Sequence, residues 1–247
     1  MTADPTDAMT PEARQLALPF DWPERFDAED FIDAPSNAAA RAALVCPESW
    51  VENRLVLWGE PGCGKSHLAA MWAAKTGARS VAAWTLRSPL TADAPGLVIE
   101  DIDAVDDETA LLGTIERARH DGLKVLLTSR VPPARLDAGL ADLASRLRAS
   151  LTIRIEPPDD ALLDALLHRL AARRQLHLPA PLRQFLLRTL PRRPATLREA
   201  VARLDRASLA TGRKLSRPLA EPLLADLTDP PEAAAPSHAP VSVSRLL

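Results

Sequence analysis

The sequence predicts an α/β fold, a parallel β-sheet sandwiched by helices and followed by a small all-α domain. Three observations predict it. Short apolar runs alternate with helical segments from Arg54 to Ile155; a glycine-rich turn sits at the first junction of apolar run and helix; and beyond Pro157 and Pro158 leucines recur at helical spacing with no further strand-like run. Parallel strands follow from the alternation, because only a crossover segment can return the chain to a parallel neighbour, and crossover helices then cover both faces of the sheet.

Taken in chain order, residues 1–25 read as a flexible tail, polar with Pro5 and Pro11 and carrying one apolar island, Gln15 to Phe20. Residues 26–158 form the α/β unit. An Ala-rich helix is expected after Ser36 or Asn37, both good N-caps, with Pro47 closing the region. Strands are expected at Arg54–Trp58, Ser80–Trp84, Leu97–Glu100, Leu123–Thr128 and Leu151–Ile155. Between them lie helices His67–Lys75, stopped by Gly77, and Glu108–His120, stopped by Gly122. Residues 159–228 form the helical domain. Its first helix is capped by Asp159 or Asp160 and carries the stripe Leu162, Leu163, Leu166, Leu167 and Leu170; Phe185, Leu186 and Leu190 mark a second helix, and Leu197, Val201 and Leu204 a third. Residues 229–247, rich in Pro, Ala and Ser, read as a second flexible tail.

Bulk composition excludes several classes. A net charge of -3 gives no global attraction to nucleic acid or membrane. The two cysteines, Cys46 and Cys63, have no metal-ligand spacing and suggest no disulfide framework. No apolar run approaches the ~20 residues that span a bilayer, and the acidic N-terminus is unlike a secretion leader, so a cytoplasmic location with no membrane partner is expected. The charge is uneven: residues 161–218 hold thirteen Arg or Lys against Asp164, Glu199 and Asp205. That density suits either a solvated helical surface or a face turned toward phosphates or an acidic partner.

The segment Gly59 to Ser66, G-E-P-G-C-G-K-S, fits the phosphate-loop pattern G-x-x-x-x-G-K-[ST] without a mismatch. With a strand before it and a helix after it, the loop can aim backbone N–H groups at a phosphate held at the positive end of the helix. Gly59, Glu60, Pro61, Gly62, Cys63, Gly64, Lys65, Ser66 and His67 are therefore the expected nucleotide-binding residues, with Lys65 on the β- and γ-phosphates and the Ser66 hydroxyl on Mg²⁺. The acidic site such a loop requires is supplied by L-V-I-E-D-I-D, Leu97 to Asp103. Glu100 is the expected second Mg²⁺ ligand and Asp101 the residue that orients the attacking water. Asp is usual at the first place, and the longer Glu100 side chain predicts weak or no independent ATPase activity. Thr128, with Ser129 as the alternative, is the expected γ-phosphate sensor at the end of the fourth strand. The cofactors implied are ADP or ATP with Mg²⁺.

Further on, L-A-S-R-L (Leu143 to Leu147) precedes a strand that ends in I-E-P-P, and T-L-R-E-A-V-A-R-L-D-R-A-S runs from Thr196 to Ser208. With the phosphate loop, these segments resemble the DnaA branch of AAA+ proteins, and the resemblance extends from about Phe26 to Leu227. It implies a P-loop AAA+ sheet with an all-α lid, and Arg146 as an arginine finger offered in trans to a neighbour's nucleotide. It also implies a lid sensor at Arg203, or at Arg206 one turn on, and an adenine-side segment at Phe31 to Asn37. Initiators of this branch carry a duplex-reading domain after the lid and extra helices between the second and third strands, neither of which is found in this sequence. No direct sequence-specific DNA binding and no filament are expected, though a homo-dimer is possible. The island Q-L-A-L-P-F resembles the peptide that docks proteins on the β sliding clamp of DNA polymerase III. Gln15 would anchor it by hydrogen bonds, Leu16, Leu18 and Phe20 would supply apolar contact, and Pro19 would pre-order the extended shape. The function implied is negative regulation of replication initiation, with DnaA as partner. The alternatives are a helicase-loader ATPase of the DnaC kind or a small-molecule P-loop kinase.

Overall fold

The computed structural model of the protein describes residues 31–91 and 93–228; the Gln15 to Phe20 segment and both expected tails lie outside the described residues. Five parallel strands, β1 (Arg54–Trp58), β2 (Arg79–Ala82), β3 (Gly96–Glu100), β4 (Lys124–Ser129) and β5 (Leu151–Arg154), make one sheet in the order β2-β3-β4-β1-β5. The central strands are buried on both faces, as their unbroken apolar runs require. Side-chain alternation then divides them between two cores. Val56, Leu97, Ile99, Val125 and Leu127 pack against helices α3 (Glu108–His120) and α4 (Ala141–Arg148) through Leu111, Ile115, Leu143 and Leu147. Leu55, Leu57, Val98 and Leu126 face α1 (Ala38–Val45) and α2 (Lys65–Thr76) through Ala40, Leu68, Ala69 and Trp72.

The second expected strand is the one that moves most. It runs Arg79–Ala82 and then tightens into a 3₁₀ turn, Ala83–Thr85, leaving Trp84 exposed. As the edge strand, β2 pairs with β3 alone and has nothing to extend its ladder. Helix α1 also departs from expectation, since Asn37 precedes it without capping it. The Asn37 side chain is buried and ties its own loop instead, accepting from the Ala34 N–H and Arg41 Nε and donating to the Ile32 carbonyl. Two caps are as expected in kind: Gly77 ends α2 in the left-handed region, and Asp159 opens the helical domain by accepting from the Leu162 N–H at 2.8 Å.

The helical domain holds α5 (Asp160–Arg173), α6 (Ala180–Thr189) and α7 (Pro194–Thr211), then two short helices not anticipated from sequence, α8 (Arg217–Leu223) and α9 (Ala225–Thr228). They close a separate core of Leu163, Leu167, Leu182, Leu186, Leu197, Val201, Leu204 and Leu224. Helix α4 is likewise not anticipated, since the sequence shows only its motif. Its N-terminus is held by Glu108, whose carboxylate accepts the N–H groups of Gly139 and Leu140 at 2.9 and 2.7 Å.

Candidate nucleotide site and arginine-finger surface

The phosphate loop leaves β1 at Trp58 and enters α2 at Lys65, so its N–H groups lie at the start of a 12-residue helix. Gly62 and Gly64 hold φ of 82° and 108°, a region that side-chain-bearing residues avoid, which is why the loop can curl this tightly. Lys65 is buried, and its Nζ donates to the carbonyls of Gly59 and Glu60 at 2.7 and 3.0 Å. Cys63 Sγ is 3.9 Å from the same ammonium. Burial pushes the Cys63 thiol above its usual value, and nearby Lys65 offsets part of that rise.

The expected metal pair meets in space. Glu100, at the C-terminal end of β3, shares a hydrogen bond with the Ser66 side chain, and burial pushes its carboxyl above the ordinary range. Strand β4 lies between β1 and β3, which places these two residues across the crevice at the carboxyl ends of the strands. Asp101 follows at φ 55°, ψ 54°, a left-handed conformation costly for a non-glycine residue, and its N–H is held by Thr128 Oγ1 at 2.9 Å. Thr128 is fully buried and its hydroxyl is taken up by Asp101. Ser129 is also buried, and its hydroxyl accepts the Val131 N–H. The Thr128 hydroxyl thus fixes the acidic turn.

Two further walls come from outside the sheet. Phe31 packs edge-on to His67 with ring centroids 5.1 Å apart, and its ring also lies within 3.8 Å of where a Cβ on Gly64 would stand. The Phe31 carbonyl accepts Arg169 Nη1 of α5 at 3.0 Å, linking this segment to the helical domain. A Cβ on Gly62 would sit 3.5 Å from Pro194 Cδ and 4.0 Å from Arg193 Cβ. The first turn of α7 therefore closes on the phosphate loop.

That contact changes the reading of the lid arginines. Arg203 comes about half a revolution round α7 from Pro194 and roughly 13 Å along it. Its guanidinium is bonded to Glu199, Asp226 and the Leu223 carbonyl, and these two carboxylates push its pKa up. It braces α7 against the last two helices. Arg206 shares Glu199 with it. Arg198, one turn beyond Pro194, lies roughly 40° from the Pro194 direction. Arg198, the arginine of T-L-R-E, was not singled out from the sequence.

Arg146 is on the last turn of α4, with its side chain 40% exposed, and Nε stands 2.7 Å from Glu116 Oε1. Through Ser150 it is linked to Arg54, the first residue of β1. The phosphate loop leaves the other end of that strand, about 13 Å away at a rise of ~3.3 Å per residue.

The residues at the loop suit a magnesium nucleotide: a turn open to phosphate, a buried ammonium, a hydroxyl beside a carboxylate and an aromatic pair at one flank. Among the described residues no group of three His, Cys, Asp or Glu is placed to hold a metal. A cation at Ser66 and Glu100 would thus depend on phosphate oxygens to complete its shell. No described helix is long and apolar enough to cross a membrane.

Comparison with known proteins agrees with this geometry. Residues 159–224 match the family model described as the Hda lid domain. Domain III of the replication initiation protein DnaA from Thermotoga maritima superposes with a TM-score of 0.70 at 21% identity, over 83% of this chain and 98% of that one. AMPPCP-bound DnaA from Aquifex aeolicus gives 0.58 at 19% identity, over 75% of this chain and 67% of that one. The RuvB Holliday junction branch migration motor from Thermotoga maritima gives 0.60 at 17% identity, over 78% of this chain and 67% of that one. Residues 159–224 thus match an Hda lid, and the chain as a whole shares the fold of DnaA domain III.

Proposed function

We propose that this protein is a negative regulator of replication initiation that stimulates hydrolysis of DnaA-bound ATP by supplying Arg146 in trans. The single observation that carries the reading is the separation of the two chemistries along β1. The phosphate loop lies at one end of the strand, and Arg146 is half-exposed at the other, out of reach of its own loop. An arginine so placed acts on a neighbour or on nothing. DnaA is the neighbour favoured by the Hda-type lid and the DnaA-like fold.

In the chain's own site, Lys65 and the loop N–H groups bind the phosphates of ADP or ATP, Ser66 and Glu100 hold the cation, and Phe31 with His67 flanks the base. Mg²⁺ there supplies charge neutralisation across the phosphates. The Asp101 backbone N–H is held by Thr128, and Glu100, longer than the usual Asp, stands at the first acidic place, so the chain's own turnover is weak. Its nucleotide serves to fix the lid on the loop through Pro194 and Arg198. Toward the partner, Arg146 stabilises charge that develops on transfer of the γ-phosphoryl group. Docking of Gln15 to Phe20 on the β sliding clamp raises the local concentration of the finger near DnaA.

The test is hydrolysis of DnaA-bound ATP in the presence of clamp loaded on DNA. Arg146→Ala and Gln15→Ala should each lose stimulation. Full activity of Arg146→Ala would overturn the trans finger, and full activity of Gln15→Ala would overturn the tether.

A further inference from the structure

Beneath Arg146 lies a buried cation that the nucleotide site does not use. Arg54 is 1% exposed, and only its Nε has a partner, Ser150 Oγ at 3.1 Å. Nη1 and Nη2 are buried without hydrogen bonds. Ser150 Oγ in turn donates to the Arg146 carbonyl at 3.0 Å, so the buried guanidinium and the end of α4 share one hydroxyl. On the outer side, Glu116 Oε1 faces Arg146 Nε at 2.7 Å but out of line for a hydrogen bond. Glu116 Oε2 lies 3.7 Å from Arg119 Nη1, and Arg119 Nε lies 2.9 Å from Glu52 Oε2. Three guanidiniums thus face two carboxylates around the root of one half-exposed arginine.

Arg54 is the one charged residue of β1. Its neighbours on β1, Leu55, Val56 and Leu57, are apolar and fully buried. A buried guanidinium with two unpaired nitrogens carries a free-energy cost that an apolar side chain of similar length does not. Burial works against the charge on Arg54; Glu52 and Glu116 favour it, while Arg146 and Arg119 add like-charge repulsion, and the pKa falls overall. The repulsion is mutual, so the charge on Arg54 disfavours Arg146 folding back over it. Glu116 meanwhile engages Arg146 through Nε, the nitrogen furthest from the tip of the fork, and the Arg146 side chain is 40% exposed.

We propose that Arg54 and Glu116 are positioning residues for Arg146, Arg54 pressing the finger outward by its buried charge and Glu116 fixing its direction through Nε. The inference rests on reading Arg146 as the trans finger. The experiment uses the full chain on DNA-loaded clamp with DnaA-bound ATP, and compares Arg54→Met, Glu116→Gln and Arg146→Ala, alone and combined. Arg54→Met should lower the saturated rate roughly ten- to a hundredfold, the size expected from misplacing a reacting group by about an ångström. The concentration giving half-maximal stimulation and the affinity for ADP should stay unchanged, and the melting temperature should hold or rise. Added to Arg146→Ala, Arg54→Met should cost nothing more, because the two act through one group. A wild-type saturated rate for Arg54→Met, or a further loss in the Arg146→Ala background, overturns the proposal. Should Arg54→Met not fold, the half-exposed Glu116→Gln decides by the same two criteria. Full activity of Arg146→Ala itself sinks the finger reading. Loss in Arg146→Ala with wild-type rates in the other two sinks the positioning role alone.

Discussion

The two ends of β1 carry two kinds of site. At the C-terminal end the site is made largely of backbone: a glycine turn, the start of α2 and one lysine that bonds to carbonyls of its own loop. At the N-terminal end it is made of side chains drawn from β1, α3, α4 and the residue before β5, with charges that do not cancel and buried nitrogens left unpaired. The first arrangement can receive a ligand with little rearrangement. The second is stable enough to persist yet retains electrostatic demand directed outward, which suits a group offered to another molecule.

The largest test of this contrast is reciprocal independence. Lys65→Ala should weaken ADP binding roughly a hundredfold, the loss expected for a charge-assisted phosphate contact. Arg146→Ala should leave that affinity within about twofold. Calorimetric titration with ADP and magnesium measures both, and equal losses would show that the two ends are one site.

Next in size is the backbone end itself. A Cβ on Gly59 would stand 2.6 Å from the Ile155 carbonyl oxygen and 2.9 Å from Cys63 Sγ. Since the backbone of the strand that continues from β5 cannot yield, Gly59→Ala should destabilise the α/β unit by about 1–3 kcal/mol in urea unfolding. An unchanged midpoint would mean that the turn is looser than the contact implies.

The lid sharpens the comparison from the other side. Arg198→Ala should reduce ADP affinity about tenfold, whereas Arg203→Ala should leave binding intact and cost the lid about 1 kcal/mol or less, because its ion pairs are partly exposed. The reverse pattern would restore Arg203 as the phosphate contact.

The smallest effect concerns the loop thiol. A folded-state pKa held above the ordinary thiol value by burial means less thiolate at a given pH, so Cys63 should alkylate more slowly than exposed Cys46 near neutrality. The gap should narrow as pH rises through the raised value. Peptide mapping after iodoacetamide treatment across that range gives both rates, and equal rates at neutral pH would contradict the burial.

What the sequence determined by itself is local. The β1 strand and helix α3 occupy the expected bounds because an apolar run, an Asp at the N-cap and glycines beyond the helix act within a few residues. Gly59 to Ser66 was legible for the same reason: its cradle is backbone, and backbone conformation is written in neighbouring glycines. Glu100 could be read from the end of an apolar strand, and its meeting with Ser66 follows once β3 and β1 flank β4.

Tertiary structure decided the rest. Helical spacing in Thr196 to Ser208 shows which arginines share a face, but only the tertiary contacts show that the start of α7 reaches Gly62 and that Arg203 is taken up by Glu199 and Asp226. The hydroxyl of Thr128 is claimed by a backbone N–H from a different strand end, which no local pattern records. Arg54, Glu116, Arg146 and Ser150 are scattered over almost a hundred positions, and their partnership exists only because the sheet order brings β1 beside β5 and α3 beside α4. Short-range conformational preference is encoded residue by residue, whereas the pairing of distant charges depends on chain crossings that hydrophobic burial selects for the whole fold.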